Sequence, residues 1–141
     1  MEDCIFCKIV KGEIGSAKIF EDENVFVFLD INPIVKGHCL VVPKKHSEDI
    51  FDTDNETLKN VIIVAKDISE KMRNILGSVA VNLVNSSGIE AEQGVSHFHL
   101  HILPRYKGDA LNMSEWWQSK VLKPTGEELV KIAEEIRVGL N

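Results

Sequence analysis

Cysteine is scarce in this chain: three in 141 residues are too few for a disulfide framework, which leaves metal or thiol chemistry as their use. No apolar run is long enough to span a bilayer, and no secretory hydrophobic core stands out. The expectation is a cytoplasmic protein without a membrane partner. Positive charge is in deficit. Sixteen Lys and Arg against 22 Asp and Glu leave a formal net charge of −6, which argues against non-specific binding of nucleic acid. Repeats, low-complexity tracts and Gly/Ser linkers are also missing, so residues 1–141 read as one domain. What remains is an ordinary globular composition, 44% hydrophobic and 27% charged.

Read along the chain, AKIFEDENVFVFLD suggests two short strands around an acidic turn, and HCLVVP a buried strand after the loop INPIVKG. Thr53 and Glu56 have capping-box spacing. Behind them Leu58, Val61, Ile62, Ala65, Ile68, Met72, Ile75 and Leu76 recur at helical intervals, with Gly77 as the stop. VAVNLVN and HFHLHILP read as two further strands, and Thr125 and Glu128 open a C-terminal helix with Leu129, Ile132, Ala133 and Ile136 on one stripe. Strands in succession with one long helix between them predict an α+β fold: an antiparallel sheet of about five strands, a long helix on one face and a C-terminal helix. The motifs fall within 1–105, with a C-terminal loop and helix over 106–141.

Three of the five histidines occupy alternate positions in VSHFHLHILPR. On an extended strand His97, His99 and His101 share one face, with Phe98, Leu100 and Ile102 on the other. One metal cannot easily take all three, because the outer two backbones stand about 13 Å apart. At least one imidazole needs another task. A neutral imidazole attacks phosphorus well, and a second one nearby can donate to a phosphate oxygen or a leaving group. The loop SSGIEAEQGVS, just before, offers Gly88, Gly94 and Gln93 for close approach to an anion.

HFHLHIL, together with CIFCKIVKGEI, FLDINPIVKGHCLVVPKKH and EQGVSHFHLHILPR in order and spacing, resembles the histidine-triad superfamily of nucleotide hydrolases and transferases. The resemblance implies a homodimer with a continuous sheet, acting at the α-phosphate of purine nucleotides such as nucleoside phosphoramidates or dinucleoside polyphosphates. It implies His99 as the nucleophile, forming a nucleotidyl-histidine, His101 at the phosphate or leaving group, and His38 in support. Gln93 and the Gly94 amide would hold phosphate oxygens, and Asn85 would help to position them. Asp30 would accept from both ribose hydroxyls, with Ile5, Phe6, Ile9, Phe28 and Ile31 around the base. A turn-capping role competes for Asp30, and ordinary core for the apolar five. Gly94 departs from the family, whose phosphoramidase branch carries Ser there and whose dinucleoside polyphosphate hydrolases carry Thr.

Cys4 and Cys7 form C-x-x-C with no strand before it, which disfavours a redox motif and suits a zinc half-site. His46 and His97 are the candidates to complete it. The resemblance implies the same four ligands and one structural zinc per chain. Two rival readings stay open: an H-x-H metallohydrolase, and a non-catalytic nucleotide-binding adaptor.

Overall fold

Val25–Leu29 and Cys39–Pro43 are runs of branched and aromatic residues, and they pair antiparallel at the centre of the fold. The computed structural model describes residues 3–140. Its strands are β1 (Lys18–Glu21), β2 (Val25–Leu29), β3 (Cys39–Pro43), β4 (Ala80–Val84) and β5 (Leu100–Arg105). Its α-helices are α1 (Ile5–Val10), α2 (Asn55–Leu76), α3 (Met113–Gln118) and α4 (Gly126–Leu140). The five strands form one antiparallel sheet in the order β1-β2-β3-β5-β4. That is the α+β architecture expected from the sequence.

Period-two alternation sorts the sheet into two buried faces. Val25, Val27, Cys39, Val41, Phe98 and Ile102 pack with Val61, Val64, Ala65, Ile68 and Met72 of α2. Phe26, Phe28, Leu40 and Val42 turn the other way, against Phe6 and Ile9 of α1. Burial of each such side chain stabilises the fold by roughly 1.5–3 kcal/mol. The α2 stripe is rotated from the expected one: Val64 is buried, whereas Ile62 and Ile75 are exposed.

Helix α2 is not capped by Thr53. The Thr53 hydroxyl is already bonded to Ser47 Oγ at 2.7 Å and donates to the Asp49 carbonyl at 2.6 Å. Asp54 takes the cap, its carboxylate accepting from the Thr57 amide at 2.9 Å. Gly77 ends the helix at φ 73°, as expected of a left-handed stop. The triad strand is also shorter than HFHLHILP suggests. Its ladder begins at Leu100, so His97 and His99 lie in the irregular approach to β5.

The chain divides into two compact units between Asp109 and Ala110. The first holds the sheet, α1 and α2. In the second, the Thr125–Glu128 capping box closes in both directions, at 3.0 and 3.2 Å. Leu129, Ile132 and Ile136 of α4 share one face and are exposed.

Candidate active site and metal centre

His97 sits at the junction of two clusters. It is fully buried, and its Nε2–H donates to the carbonyl of Pro43, the last residue of β3, at 2.8 Å. The Nδ1 lone pair therefore faces inward. It meets Cys4 Sγ at 3.3 Å, Cys7 Sγ at 3.6 Å and His46 Nδ1 at 3.1 Å, and Cys7 Sγ lies 3.4 Å from His46 Nδ1. A tetrahedral zinc with sulfur and nitrogen ligands has edges of about 3.3–3.8 Å. The donor set and its spacing fit that ion. Cys4 caps α1 and Cys7 lies in its first turn, which aims both sulfurs the same way. Burial, with the Cys4 thiol beside it, pushes the Cys7 thiol up, so a metal must displace a proton to bind there.

His99 belongs to the second cluster. Its Nδ1–H donates to the His97 carbonyl at 2.7 Å, which leaves the lone pair on Nε2. Phe6 sets its ring edge-on to both imidazoles, with centroids 5.2 Å from His99 and 5.9 Å from His97. Burial lowers the His99 pKa and favours the neutral ring. Asn85 Nδ2 donates to the His99 carbonyl at 2.8 Å. Asn85 Oδ1 accepts from the Ser87 hydroxyl at 2.7 Å, and Ser87 Oγ accepts from the Ile50 amide at 3.0 Å. Asn85 thus fixes the backbone under His99.

His38, just before β3, places Nε2 2.9 Å from His101 Nδ1 and 3.5 Å from Asp30 Oδ2. Its Nδ1 accepts from the Ile34 amide at 3.2 Å. Burial pushes His101 down to about 4, with His99 and His38 adding to the shift, so the ring is neutral at neutral pH. Asp30 does two things: Oδ1 caps a turn by accepting from the Asn32 amide at 2.8 Å, and Oδ2 faces His38 and His101.

The other expected residues divide. Gln93 Oε1 accepts from the Gly88 amide, while Nε2 donates to the Glu48 and Val95 carbonyls at 2.7 and 2.8 Å, so its amide holds the loop together. Gly94 is exposed, and a Cβ there would meet nothing within 4 Å. Gly94 and Ile5 line a cleft of about 530 Å³ that also reaches Cys4 and His46. Phe6, Ile9 and Phe28 are core residues; Ile5 and Ile31 are exposed, Ile31 at 90%. Sequence reasoning missed Ser87 and the Pro43 carbonyl. Ser87 read as part of a connector, and a backbone carbonyl carries no residue-type signal.

The HIT domain profile matches residues 11–108. The chain belongs to the HIT family. This HIT protein is 40% identical to the Hit protein of Bacillus subtilis over 136 residues, 96% of this chain and 92% of that one. It is 35% identical to the adenosine 5'-monophosphoramidase of Schizosaccharomyces pombe over 133 residues, 94% of this chain and 95% of that one. A crystal structure from Streptococcus mutans superposes with a TM-score of 0.89 at 32% identity, covering all of this chain and 87% of the other. A zinc-bound histidine triad protein of Mycobacterium smegmatis gives 0.77 at 40% identity, over 79% of this chain and 81% of that one.

Proposed function

We propose that this HIT protein hydrolyses purine nucleotides at the α-phosphate, with His99 as the nucleophile and a nucleoside phosphoramidate or dinucleoside polyphosphate as substrate. One observation carries the reading: the His97 carbonyl holds the proton on His99 Nδ1 and leaves Nε2 as a buried lone pair. As Nε2 bonds to phosphorus, the bond to the leaving group breaks; an amine departs with a proton taken up from solvent, and a nucleotide departs as its phosphate anion. The cationic adduct keeps its Nδ1–H on the His97 carbonyl. Water then attacks phosphorus, releasing the nucleoside monophosphate, a proton to solvent and free His99. His101 donates from Nε2 to the phosphate or the departing atom, and His38 supports it. Asn85 and Gln93 position the loop that presents the Gly94 amide to the phosphate. Asp30 takes the ribose, and Phe6, Ile9 and Phe28 back the base pocket, with Ile5 and Ile31 at its rim. Rapid quenching with α-labelled substrate should trap label on His99; unlabelled protein under turnover would sink the idea.

Cys4, Cys7, His46 and His97 would hold one zinc per chain, supplying a rigid anchor and no open coordination position. The same arrangement disfavours an H-x-H metallohydrolase. Asp30, His38 and His101 lie close enough to suggest a second metal set. However, His38 Nδ1 already accepts the Ile34 amide, so its ring proton sits on Nε2, the atom that would have to bind the ion.

A homodimer suits the outer edge of β4, where Val79, Val81 and Leu83 are exposed beside an unpaired strand edge. Trp116 and Trp117 of α3, both exposed, offer a partner an apolar contact of their own. Light scattering at micromolar concentration should give twice the chain mass; a monomer mass rejects the dimer.

A further inference from the structure

Tyr106 lies one residue beyond β5, and its hydroxyl donates to the Lys36 carbonyl at 2.8 Å. Lys36 belongs to the loop of residues 30–38, which ends at His38. The next residue, Gly37, stands at φ +87°, and a Cβ there would come within 2.9 Å of Leu76 Cδ1 and 3.3 Å of Pro104 Cγ. The loop is therefore seated closely at Lys36 and Gly37. The same loop lines a cleft of about 420 Å³ with Pro33, Ile34 and Val35 as well as with Lys36 and Gly37. Inside the loop the Ile34 amide donates to His38 Nδ1, and the His38 amide donates to the Val35 carbonyl at 3.0 Å.

The Ile34 contact has a chemical consequence. A neutral imidazole carries one N–H, and a backbone amide pointing at Nδ1 requires that proton on Nε2. His38 Nε2–H then donates to His101 Nδ1, 2.9 Å away. His101 in turn must carry its proton on Nε2, as a donor. If the Ile34 amide moved off, His38 could hold its proton on Nδ1. His38 Nε2 would become the acceptor, His101 would be protonated on Nδ1, and its Nε2 would offer a lone pair. The donor becomes an acceptor, and two negative atoms would face each other at the phosphate.

We propose that Tyr106 is a positioning residue: by holding the Lys36 carbonyl it keeps the Ile34 amide on His38, and so fixes His101 as an Nε2–H donor. The consequence for turnover rests on the hydrolase reading above; the tautomer argument does not. Burial keeps His38 neutral against the opposing pull of Asp30, which is the state in which a tautomer can be chosen at all.

The test uses the full chain with ¹⁵N-labelled histidine. Two-bond nitrogen–proton spectra report the tautomer of each ring, and they need no substrate. Wild-type protein should show His38 as the Nε2–H form. Tyr106→Phe removes only the hydroxyl; it should give a mixture of His38 tautomers and lower kcat about tenfold, with KM within about twofold. An unchanged His38 tautomer in Tyr106→Phe overturns the proposal, whatever happens to kcat. A changed tautomer with wild-type kcat overturns the link to the reaction. If wild-type protein never takes label on His99, the hydrolase reading fails, and the tautomer comparison still decides the role of Tyr106.

Discussion

His99 Nδ1 lies 2.7 Å from the carbonyl oxygen of His97, two residues earlier in the same chain. His97 is itself held by its Nε2–H on the Pro43 carbonyl, with Nδ1 turned to two sulfurs and a second imidazole. One residue therefore joins the Cys4–Cys7–His46 cluster with its side chain and orients His99, the proposed nucleophile, with its backbone. The two alternate histidines of the triad are unequal by construction. Their roles follow from which nitrogen is already occupied.

His99→Ala should accordingly abolish turnover, by at least about 10⁴-fold, while nucleotide binding persists. His101→Ala should cost less, on the order of 10²–10⁴-fold, the range of lost donor assistance. Steady-state kinetics with adenosine phosphoramidate and a diadenosine polyphosphate, beside calorimetric binding of the monophosphate, makes the comparison. Near-wild-type turnover in His99→Ala would displace it as the nucleophile.

Protein purified without chelators should carry one zinc per chain by elemental analysis, because four ligands close a single tetrahedral site. Cys7→Ser should empty it and lower Tm, since the cluster ties α1 to residues beyond β3 and before β5. Metal affinity should fall on acidification, as the raised Cys7 thiol regains its proton. A metal-free protein with wild-type Tm would remove the structural role.

Much of this was legible in the sequence because it depends on side-chain periodicity. The alternation of His97, His99 and His101 with Phe98 and Ile102 survives as burial on opposite sides, even though the ladder starts only at Leu100. C-x-x-C followed by His46 and His97 likewise comes together as one cluster. The failures are local competitions. Thr53 has the spacing of a cap, but its hydroxyl is drawn into a turn with Ser47 and Asp49, and the neighbouring Asp54 is free to cap instead. The Gln93 amide answers three backbone groups, those of Gly88, Glu48 and Val95, a loop-holding role that its place in the sequence does not announce. Ser87 acts through two hydrogen bonds, to Asn85 and from Ile50, and the Pro43 carbonyl through its bond to His97; none of these imposes a pattern on the chain.

Acid should destabilise the fold through the second cluster. His101 falls to about 4 from the ordinary 6.5, and burial lowers His38 in the same direction. Between those values the unfolded chain binds more protons than the folded one, so stability rises with pH through that window. Its contribution is complete above about 6.5 and is lost as pH falls toward 4. Thermal unfolding followed from pH 7 to 4 should show this decline, and His101→Asn should flatten part of it. A His101→Asn profile parallel to wild type would assign the acid loss to other groups.

Asp30 offers a separation of two roles on one carboxylate. Oδ1 accepts the Asn32 amide at 2.8 Å and shapes the turn after β2, while Oδ2 lies 3.5 Å from His38 Nε2 and 4.0 Å from His101 Nδ1. Asparagine can accept the same amide through its own oxygen, so Asp30→Asn should keep the turn and the fold. What it removes is the charge. A carboxylate bonded to ribose hydroxyls is worth roughly 1.5–3 kcal/mol per charged hydrogen bond. Binding of a ribonucleoside monophosphate should therefore weaken by at least about tenfold, a loss of 1.4 kcal/mol or more by the usual affinity arithmetic. Binding of the 2'-deoxy analogue, which lacks one of the hydroxyls, should weaken less, so the preference for ribose narrows. Calorimetric titration of wild type and variant with both sugars measures this directly. Equal weakening for the two would mean that Asp30 serves His38 and the turn rather than the sugar.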